Sequence, residues 1–250
     1  MEEKRSYDLC LSWKRRRETL PSRFLRILYP HRCPLCFSVL PRQDRLLCRP
    51  CEKRLRPITE NRCFICGRPT RGEEEYCRDC RHVSHVFTRG LGVFLYEGEM
   101  KESIRKYKRD GCREYSEFYA RAAARYSRRE LEKWAPDRLI YVPMYPGDQR
   151  KRGYNQSFLL ARELSFLTGI PLEADAVRKI HPTKAQKKLG AAERRKNLYE
   201  AYVGVKKFHK ERLLIVDDIY TTGSTMDAMA EVLLKAGASY VYFLTLCIVP

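Results

Sequence analysis

The stretch Leu213-Leu-Ile-Val-Asp-Asp-Ile-Tyr-Thr-Thr-Gly-Ser-Thr225 predicts the architecture around which the chain is built. It begins with four consecutive apolar residues, which is typical of a parallel strand buried on both faces. Apolar residues at helical spacing from Met226 to Leu233 then predict an amphipathic helix, and Gly237 stands where a C-cap is expected. A strand, a short turn and a helix in this order indicate an α/β protein whose turn can receive a phosphate on free backbone N–H groups.

Polar residues crowd the turn between this strand and this helix. Asp217 and Asp218 come first, at what we expect to be an exposed strand end outside the core. Carboxylates accept hydrogen bonds from a cis-diol and suit Mg²⁺, whereas hydroxyls and a glycine suit a phosphate. The turn residues that fit a phosphate are Thr221, Thr222, Gly223, Ser224 and Thr225. Helix capping is the simpler alternative, but it needs only one such residue. The pattern therefore favours a sugar phosphate with a Mg²⁺-bound pyrophosphate.

Composition limits the class of protein. The chain has 250 residues, of which 44% are hydrophobic, so it can bury a core and is not a disordered chain. Fifty Lys and Arg face 31 Asp and Glu, a formal net charge of +19. This charge favours a polyanionic partner, either nucleic acid, an anionic membrane or a phosphate-rich substrate, although solubility alone is the alternative explanation.

Cysteine content and the absence of long apolar segments indicate a reducing compartment. The chain has 11 cysteines, but residues 1–30 are interrupted by charges and lack the apolar segment of a signal peptide. No run of 18 apolar residues predicts a membrane span. We therefore expect a cytoplasmic protein, either free or peripheral to the inner face of the membrane, in which paired cysteines bind metal rather than each other.

Eight of the cysteines form four C-x-x-C pairs, each of which looks like half of a zinc site. The pairs are Cys33 and Cys36, Cys48 and Cys51, Cys63 and Cys66, and Cys77 and Cys80. Two pairs supply the four thiolates of a tetrahedral site, so the pattern predicts two structural Zn²⁺ ions. Internal duplication favours two sequential ribbons over an interleaved arrangement, which stays open here. His82 and His85 follow the last pair and could replace a ligand, but linker histidines are favoured.

The remaining segments are more polar. The sequence predicts three regions. Residues 1–30 form a basic, loosely ordered extension, residues 31–84 form a double zinc ribbon, and residues 90–250 form the α/β domain.

A second candidate anion site follows an apolar strand near residue 140. It is the basic turn Gly147-Asp-Gln-Arg-Lys-Arg-Gly-Tyr-Asn-Gln156, which leads into a helix. Residues 178–197 are basic and weakly periodic, which is typical of a lid or a disordered segment.

Two resemblances extend this interpretation. The sequence Asp217-Asp218-x-x-Thr221-Thr222-Gly223-x-Thr225 resembles the phosphoribosyl-pyrophosphate (PRPP) signature of type I phosphoribosyltransferases. Together with the C-x-x-C pairs, the segments Arg150-x-Arg-Gly-Tyr-Asn-Gln156 and Thr183-x-x-Gln186-x-x-Leu189-x4-Arg194-x-x-Asn197 resemble the ComF family. That family is phosphoribosyltransferase-like and is associated with DNA uptake in naturally competent bacteria.

The two resemblances together imply a fold and a set of site residues. The fold is a mainly parallel sheet flanked by helices, as in type I phosphoribosyltransferases, preceded by the zinc ribbons. Asp217 and Asp218 would hold the ribose hydroxyls of PRPP with Mg²⁺, and residues 221–225 would hold its 5′-phosphate. Pyrophosphate or nucleic acid would contact Arg150, Lys151, Arg152, Gly153, Tyr154, Asn155 and Gln156. A flexible lid would include Thr183, Gln186, Arg194 and Asn197.

Three functions fit these patterns. The chain is an enzyme that attaches phosphoribose to an unidentified acceptor, a module that binds PRPP and single-stranded DNA during DNA uptake, or a PRPP sensor without turnover. The family association and the basic surface favour the second, with a DNA-uptake helicase or channel as candidate partners. Substitution at the ribose C1′ needs no side-chain nucleophile, so we assign no catalytic residue.

Overall fold

The computed structural model describes residues 30–41, 45–59, 61–182 and 197–250. The predicted N-terminal extension, except Pro30, and the predicted lid up to residue 196 lie outside these ranges. The described strands are β1 (Arg89–Leu95), β2 (Arg138–Tyr141), β3 (Val177–Lys179), β4 (Tyr202–Gly204), β5 (Arg212–Tyr220) and β6 (Tyr240–Ile248). The described helices are α1 (Arg49–Arg54), α2 (Gly98–Arg109), α3 (Tyr115–Tyr126), α4 (Arg128–Trp134), α5 (Pro146–Arg152), α6 (Gln156–Thr168) and α7 (Ser224–Lys235).

Four parallel strands form the central sheet, in the order β1-β6-β5-β2. Strand β5 carries the apolar run of the opening stretch and has a partner on each side. Its Val216 is in register with Leu244 of β6 and with Tyr141 of β2. An interior position explains why the run is continuously apolar, because helices cover both faces of such a strand. The predicted mainly parallel α/β sheet is confirmed.

Alternate residues of β5 enter two separate cores. Leu214 and Val216 pack with residues of α2, α3 and α6 on one face, whereas Leu213 and Ile215 pack with α7 and the β3–β4 hairpin on the other. The aromatic stripe of α3, including the fully buried Phe118, belongs to the first core, as its helical spacing predicts. Both faces of the sheet are therefore covered.

The two cysteine clusters join different cores. Cys33 and Cys51 of the first cluster are buried in the core of α2, α3 and α6, whereas all four cysteines of the second cluster belong to the core of α7. The segment between them lies along edge strand β1, where the N–H of Ile58 donates to the Val93 carbonyl at 2.8 Å. The ribbons thus occupy opposite faces of the sheet and cover one of its edges, which protects that edge from pairing with another chain.

The basic segment after β2 differs from the predicted turn, because its first half is the helix α5. Pro146 stands in the first turn of that helix, where its fixed φ is favourable, and Gly153 ends it in the left-handed conformation at φ +81°. Gly153 therefore acts as a helix cap. Within the described residues, no helix is both long enough and apolar enough to cross a membrane.

Candidate functional site

A cleft of about 670 Å³ opens at the carboxyl edge of the sheet. It is lined by the residues that follow β2, by the ends of β5 and α2, by α5, by the first residues of α6 and α7 and by the β3–β4 hairpin. Because parallel strands all end at one edge, residues distant in sequence meet here. The cleft brings together both predicted acids, part of the predicted phosphate turn and part of the predicted basic segment.

The two acids are buried, which corrects the expectation that they stand at an exposed strand end. Asp217 is 8% exposed and Asp218 is 3% exposed, and both belong to β5 itself rather than to the turn after it. The Ser157 hydroxyl donates to Asp217 Oδ1 at 2.5 Å, and the Lys108 ammonium lies 2.9 Å from Asp218 Oδ2. Strand β5 extends beyond its apolar run because β6 continues to pair with it as far as Tyr220.

Burial has opposite consequences for the charges in the cleft. It raises the pKa of Asp217 to about 7, with the nearby negative charge of Asp218 as the second cause. Burial would by itself lower the pKa of Lys108, but the carboxylates of Asp218 and Asp217 outweigh it and raise that pKa. The raised pKa of Asp217 and the ion pair between Asp218 and Lys108 therefore partly neutralise this acidic corner, which leaves it suited to a ligand that brings hydroxyls and a cation.

Several cleft residues were not predicted from the sequence. Lys108 and Arg109 come from the end of α2, and Lys179 and Tyr202 come from the β3–β4 hairpin. The Lys179 ammonium lies 5.3 Å from the centre of the Tyr202 ring, and burial lowers its pKa. The only sequence signal for Lys108 and Arg109 was the basic character of the helix that ends there. The contact of Lys108 with Asp218 depends on how α2 packs against the sheet.

The predicted phosphate turn is divided between two clefts. Thr221 and Thr225 line the acidic cleft, whereas Thr222 and Ser224 line a neighbouring cleft of about 360 Å³ beside the second ribbon. Gly223 between them has φ +84°, and a Cβ there would lie 2.6 Å from the Tyr220 hydroxyl and 2.8 Å from the His85 ring. The turn therefore requires glycine, and it opens the N-terminus of α7, a position that attracts anions.

The predicted basic segment is also divided. Lys151, Arg152 and Gln156 line the cleft, with Arg152 donating to Met144 and Gln156. The remaining predicted contacts do not line the cleft: Arg150 and Gly153 are exposed, and Tyr154 and Asn155 are buried.

Tyr154 and Asn155 have structural partners. The Arg113 guanidinium lies 4.8 Å from the centre of the Tyr154 ring. The Asn155 side chain accepts from the backbone N–H of Ser157 at 2.9 Å and donates to the Val142 carbonyl at 3.1 Å. Asn155 thus caps α6 and ties it to the end of β2, which positions Ser157 against Asp217.

The predicted lid cannot be placed as a whole. Thr183, Gln186 and Arg194 lie outside the described residues, and Asn197 is the first described residue after them and is exposed. Lys179 and Tyr202, which lie in the described chain before and after this segment, both line the cleft. The lid itself stays a prediction.

Both cysteine clusters have the arrangement that zinc requires. Within each cluster, Cys33, Cys36, Cys48 and Cys51 or Cys63, Cys66, Cys77 and Cys80, one sulfur from each residue lies within 4.8 Å of the others. Tetrahedral Zn–S bonds of about 2.3 Å separate two sulfurs by about 3.8 Å. The Cys36–Cys48 and Cys66–Cys77 sulfur separations are 3.7 and 3.6 Å. The sequential pairing favoured by the duplication is confirmed, and these residues fit two Zn²⁺ ions.

Comparisons with known proteins agree with both halves of the chain. Residues 24–81 match the family model of the double zinc ribbon domain, and residues 155–250 match that of the phosphoribosyl transferase domain. Competence protein F of Haemophilus influenzae is 29% identical over 212 residues, which cover 82% of this chain and 92% of that protein.

Two further relatives are similar over most of their length. DNA utilization protein YhgH of Salmonella typhimurium is 29% identical, covering 87% of this chain and 97% of that protein. Competence protein ComFC of Bacillus subtilis is also 29% identical, covering 79% of this chain and 82% of that protein. The chain thus joins a double zinc ribbon to a phosphoribosyl transferase domain, and the parallel sheet, the two four-cysteine clusters and these competence and DNA utilization relatives confirm its resemblance to the ComF family.

Proposed function

We propose that the cleft binds PRPP or a related phosphoribosyl ligand with Mg²⁺, and that the chain combines this with single-stranded DNA binding in DNA uptake. The observation that carries the proposal is the meeting of Asp217 and Asp218, the turn at the start of α7, and the cations of α2 and α5 at one sheet edge. Each group suits a different part of such a ligand.

The acids suit the ribose hydroxyls. A carboxylate has two oxygens with several acceptor sites, so the contacts to Ser157 and Lys108 leave acceptor capacity for a cis-diol. The same oxygens are hard ligands of the kind that Mg²⁺ prefers. The Lys108 ammonium already offsets the negative charge of Asp218. A divalent cation would neutralise the acidic pair further.

The two ends of the ligand would then lie on either side of the acids. The N-terminus of α7, with Thr221 and Thr225, suits the 5′-phosphate. Lys151, Arg152 and Arg109 suit the pyrophosphate, where negative charge grows if the bond to C1′ breaks. The residues thus fit substitution at C1′, in which positioning and positive charge carry the catalysis. Incubation with radiolabelled PRPP and a panel of acceptors would separate an enzyme from a sensor that binds without turnover.

A double substitution, Asp217→Asn with Asp218→Asn, tests the phosphoribosyl site. It keeps the side-chain shapes and leaves neither residue able to become a carboxylate, so we expect Mg²⁺-PRPP affinity in calorimetry to fall by about 100-fold or more, because hydrogen bonds to charged groups contribute roughly 1.5–3 kcal/mol each. The control, Glu132→Gln with Glu231→Gln, likewise replaces two carboxyl groups by amides, in two exposed helix ion pairs away from the cleft. Unchanged PRPP affinity in the acid variant would rule out this ligand class.

Single-stranded DNA binding is the second part of the proposal. The net charge of +19 and the names of the relatives, competence and DNA utilization proteins, support it. Among the aromatics near the cysteine pairs, Phe64 is 50% exposed and Tyr76 is 40% exposed, so both are accessible for base stacking. Phe37 is less accessible, because the Lys106 ammonium lies 4.7 Å from the centre of its ring.

The same variants test the proposed binding of single-stranded DNA. The Asp217→Asn and Asp218→Asn chain is more positive, so its DNA affinity should hold steady or rise slightly. Wild-type affinity should fall steeply with salt, with a slope of roughly −0.7 per phosphate neutralised in a plot of log affinity against log salt. A flat salt dependence would contradict the proposed DNA contact. Loss of both ligands in a folded acid variant would instead indicate one shared pocket.

A further inference from the structure

The second zinc ribbon contacts the backbone of the phosphate turn directly. The Arg68 guanidinium donates through Nη2 to the Thr221 carbonyl at 2.8 Å and through Nη1 to the Asp79 carboxylate at 2.5 Å. Arg68 stands two residues after Cys66, and Asp79 stands between Cys77 and Cys80. The Arg68 side chain is only 13% exposed. The second cysteine cluster therefore determines where Arg68 and Asp79 lie, and the Arg68 hydrogen bond in turn fixes the Thr221 carbonyl.

The residues that follow the second ribbon make another contact, at the start of the helix that follows this turn. His85 Nδ1 lies 2.9 Å from Asp227 Oδ2, and the Val86 N–H donates to Asp227 Oδ1 at 2.7 Å. Asp227 is in the first turn of α7, and its own N–H donates to the Gly223 carbonyl at 2.8 Å. The His85 side chain is 2% exposed and stacks on Phe87 at 4.6 Å. The turn is therefore held from both of its ends.

The first ribbon provides a contrast. Its Arg54 also reaches the α/β domain, with an ion pair of 2.8 Å to Glu99 in α2, but this contact lies on the other face of the sheet from α7. Arg54 and Glu99 are each about half exposed. Of the two ribbons, the second thus has the described contacts with residues 221–227.

We propose that Arg68 and His85 are positioning residues, through which the second zinc ribbon holds residues 221–225 in the conformation that receives the phosphate. The inference rests on the phosphoribosyl site proposed above and assigns the ribbon a role in that site. Neither residue touches the cleft that holds the acids. A preorganised turn keeps its N–H groups converged on an anion, and ordering it on binding would otherwise reduce affinity.

The first test uses Arg68→Gln, with Arg54→Gln as the matched control from the first ribbon. Ribose 5-phosphate probes the turn and inorganic pyrophosphate probes the cations of α5, with zinc content measured for each full-length chain. We expect Arg68→Gln to weaken ribose 5-phosphate by about tenfold while pyrophosphate affinity and zinc content stay unchanged. Arg54→Gln should alter neither affinity. Equal loss of both ligands would overturn the inference, since it would indicate a general structural effect.

Two further variants separate geometry from charge. Arg68→Lys keeps the positive charge but lacks the planar fork that reaches both Asp79 and Thr221, so it should lose the same affinity as Arg68→Gln. His85→Phe keeps an aromatic ring for the stack on Phe87 and loses the nitrogen that faces Asp227, and it should also weaken ribose 5-phosphate selectively. Full affinity in Arg68→Lys would overturn the inference, because charge alone would then suffice.

Hydrogen exchange on the ligand-free chains tests whether Arg68 stabilises the backbone of residues 221–225 without any ligand. The amides of residues 221–225 should exchange faster in Arg68→Gln than in the wild type, and at the wild-type rate in Arg54→Gln. Unchanged exchange in Arg68→Gln would overturn the inference whatever the ligand results are. Faster exchange, combined with no binding of ribose 5-phosphate or PRPP by the wild type, would overturn the proposed function and the phosphate role while leaving the structural hold.

Discussion

At the scale of single residues, Asp217 determines how the site responds to pH. Its carboxyl is almost fully buried beside a second carboxyl, and these two causes raise its pKa to about 7. The folded chain therefore keeps a proton on Asp217 that the unfolded chain releases near the ordinary pKa of about 4. This contribution to stability is complete below the unfolded pKa and is lost as the pH rises through about 7.

Asp217→Asn should remove this pH dependence. The substituted amide stays neutral and its oxygen can still accept from Ser157, so the variant should gain stability relative to the wild type by about 2 kcal/mol between about pH 5.5 and about pH 7.5. Urea unfolding of both chains across this range gives the difference. The two chains share every other titrating group. A difference in unfolding free energy that does not change with pH would therefore contradict a raised pKa for Asp217.

At the scale of elements, the turn between β5 and α7 depends on the backbone freedom of Gly223. Its φ of +84° disfavours other residues, and the Tyr220 hydroxyl and the His85 ring leave no space for a Cβ. Gly169, which caps α6 at φ +70°, has open space around its missing Cβ. The two glycines share the backbone requirement and differ in crowding and in distance from the cleft.

Comparing Gly223→Ala with Gly169→Ala separates these effects. The left-handed backbone alone should cost Gly169→Ala roughly 1–2 kcal/mol of unfolding free energy. Gly223→Ala should cost more, because His85 or Tyr220 must also move, and it should weaken ribose 5-phosphate binding, which Gly169→Ala should not affect. Thermal unfolding and calorimetry on both variants measure this. If the two variants lose equal stability and Gly223→Ala still binds ribose 5-phosphate with full affinity, the turn tolerates displacement of its neighbouring side chains, and the prediction is wrong.

At the scale of the whole molecule, the zinc ribbons are part of both hydrophobic cores. Leu35, Leu40 and Leu47 of the first ribbon are buried with the α2–α3–α6 face, and the second cluster is buried with the α7 face. The predicted boundary between residues 31–84 and residues 90–250 stays a prediction. Loss of either ribbon would expose apolar surface of the α/β domain, which ties its stability to metal content.

Elemental analysis should therefore find two zinc ions per chain, and chelation should lower the unfolding temperature of the α/β domain as well as that of the ribbons. Structural zinc sites contribute on the order of 10 kcal/mol or more to folding. Cys112→Ser is the control, since Cys112 lies outside both clusters and its substitution should leave the zinc content unchanged. Fewer than one zinc ion per chain with reduced cysteines would contradict the metal sites, and an unchanged unfolding temperature after chelation would contradict the shared cores.

The sequence by itself determined the features that depend on residues close together in the chain. The apolar run of β5, the two acids, the hydroxyl-rich turn and the C-x-x-C spacing are each complete within a few residues of sequence. The strand, the turn into the following helix and the sequential cysteine clusters were therefore predictable, whereas the phosphate role of the turn stays a prediction. Asn155 was named from the same kind of segment, but its side chain serves as a helix cap, because a local motif does not specify which way a side chain turns.

Only the tertiary structure decided which distant residues meet. Ser157 lies 60 positions from Asp217, and His85 lies 142 positions from Asp227, so neither contact leaves a local pattern. Lys108 reaches Asp218 and Ser157 reaches Asp217 because α2 and α6 pack against the sheet beside the end of β5. Contacts between distant residues also place the two ribbons on opposite faces of the sheet. The segment between the ribbons follows the edge of β1. Core packing, rather than cysteine spacing, then determines the face on which each cluster lies.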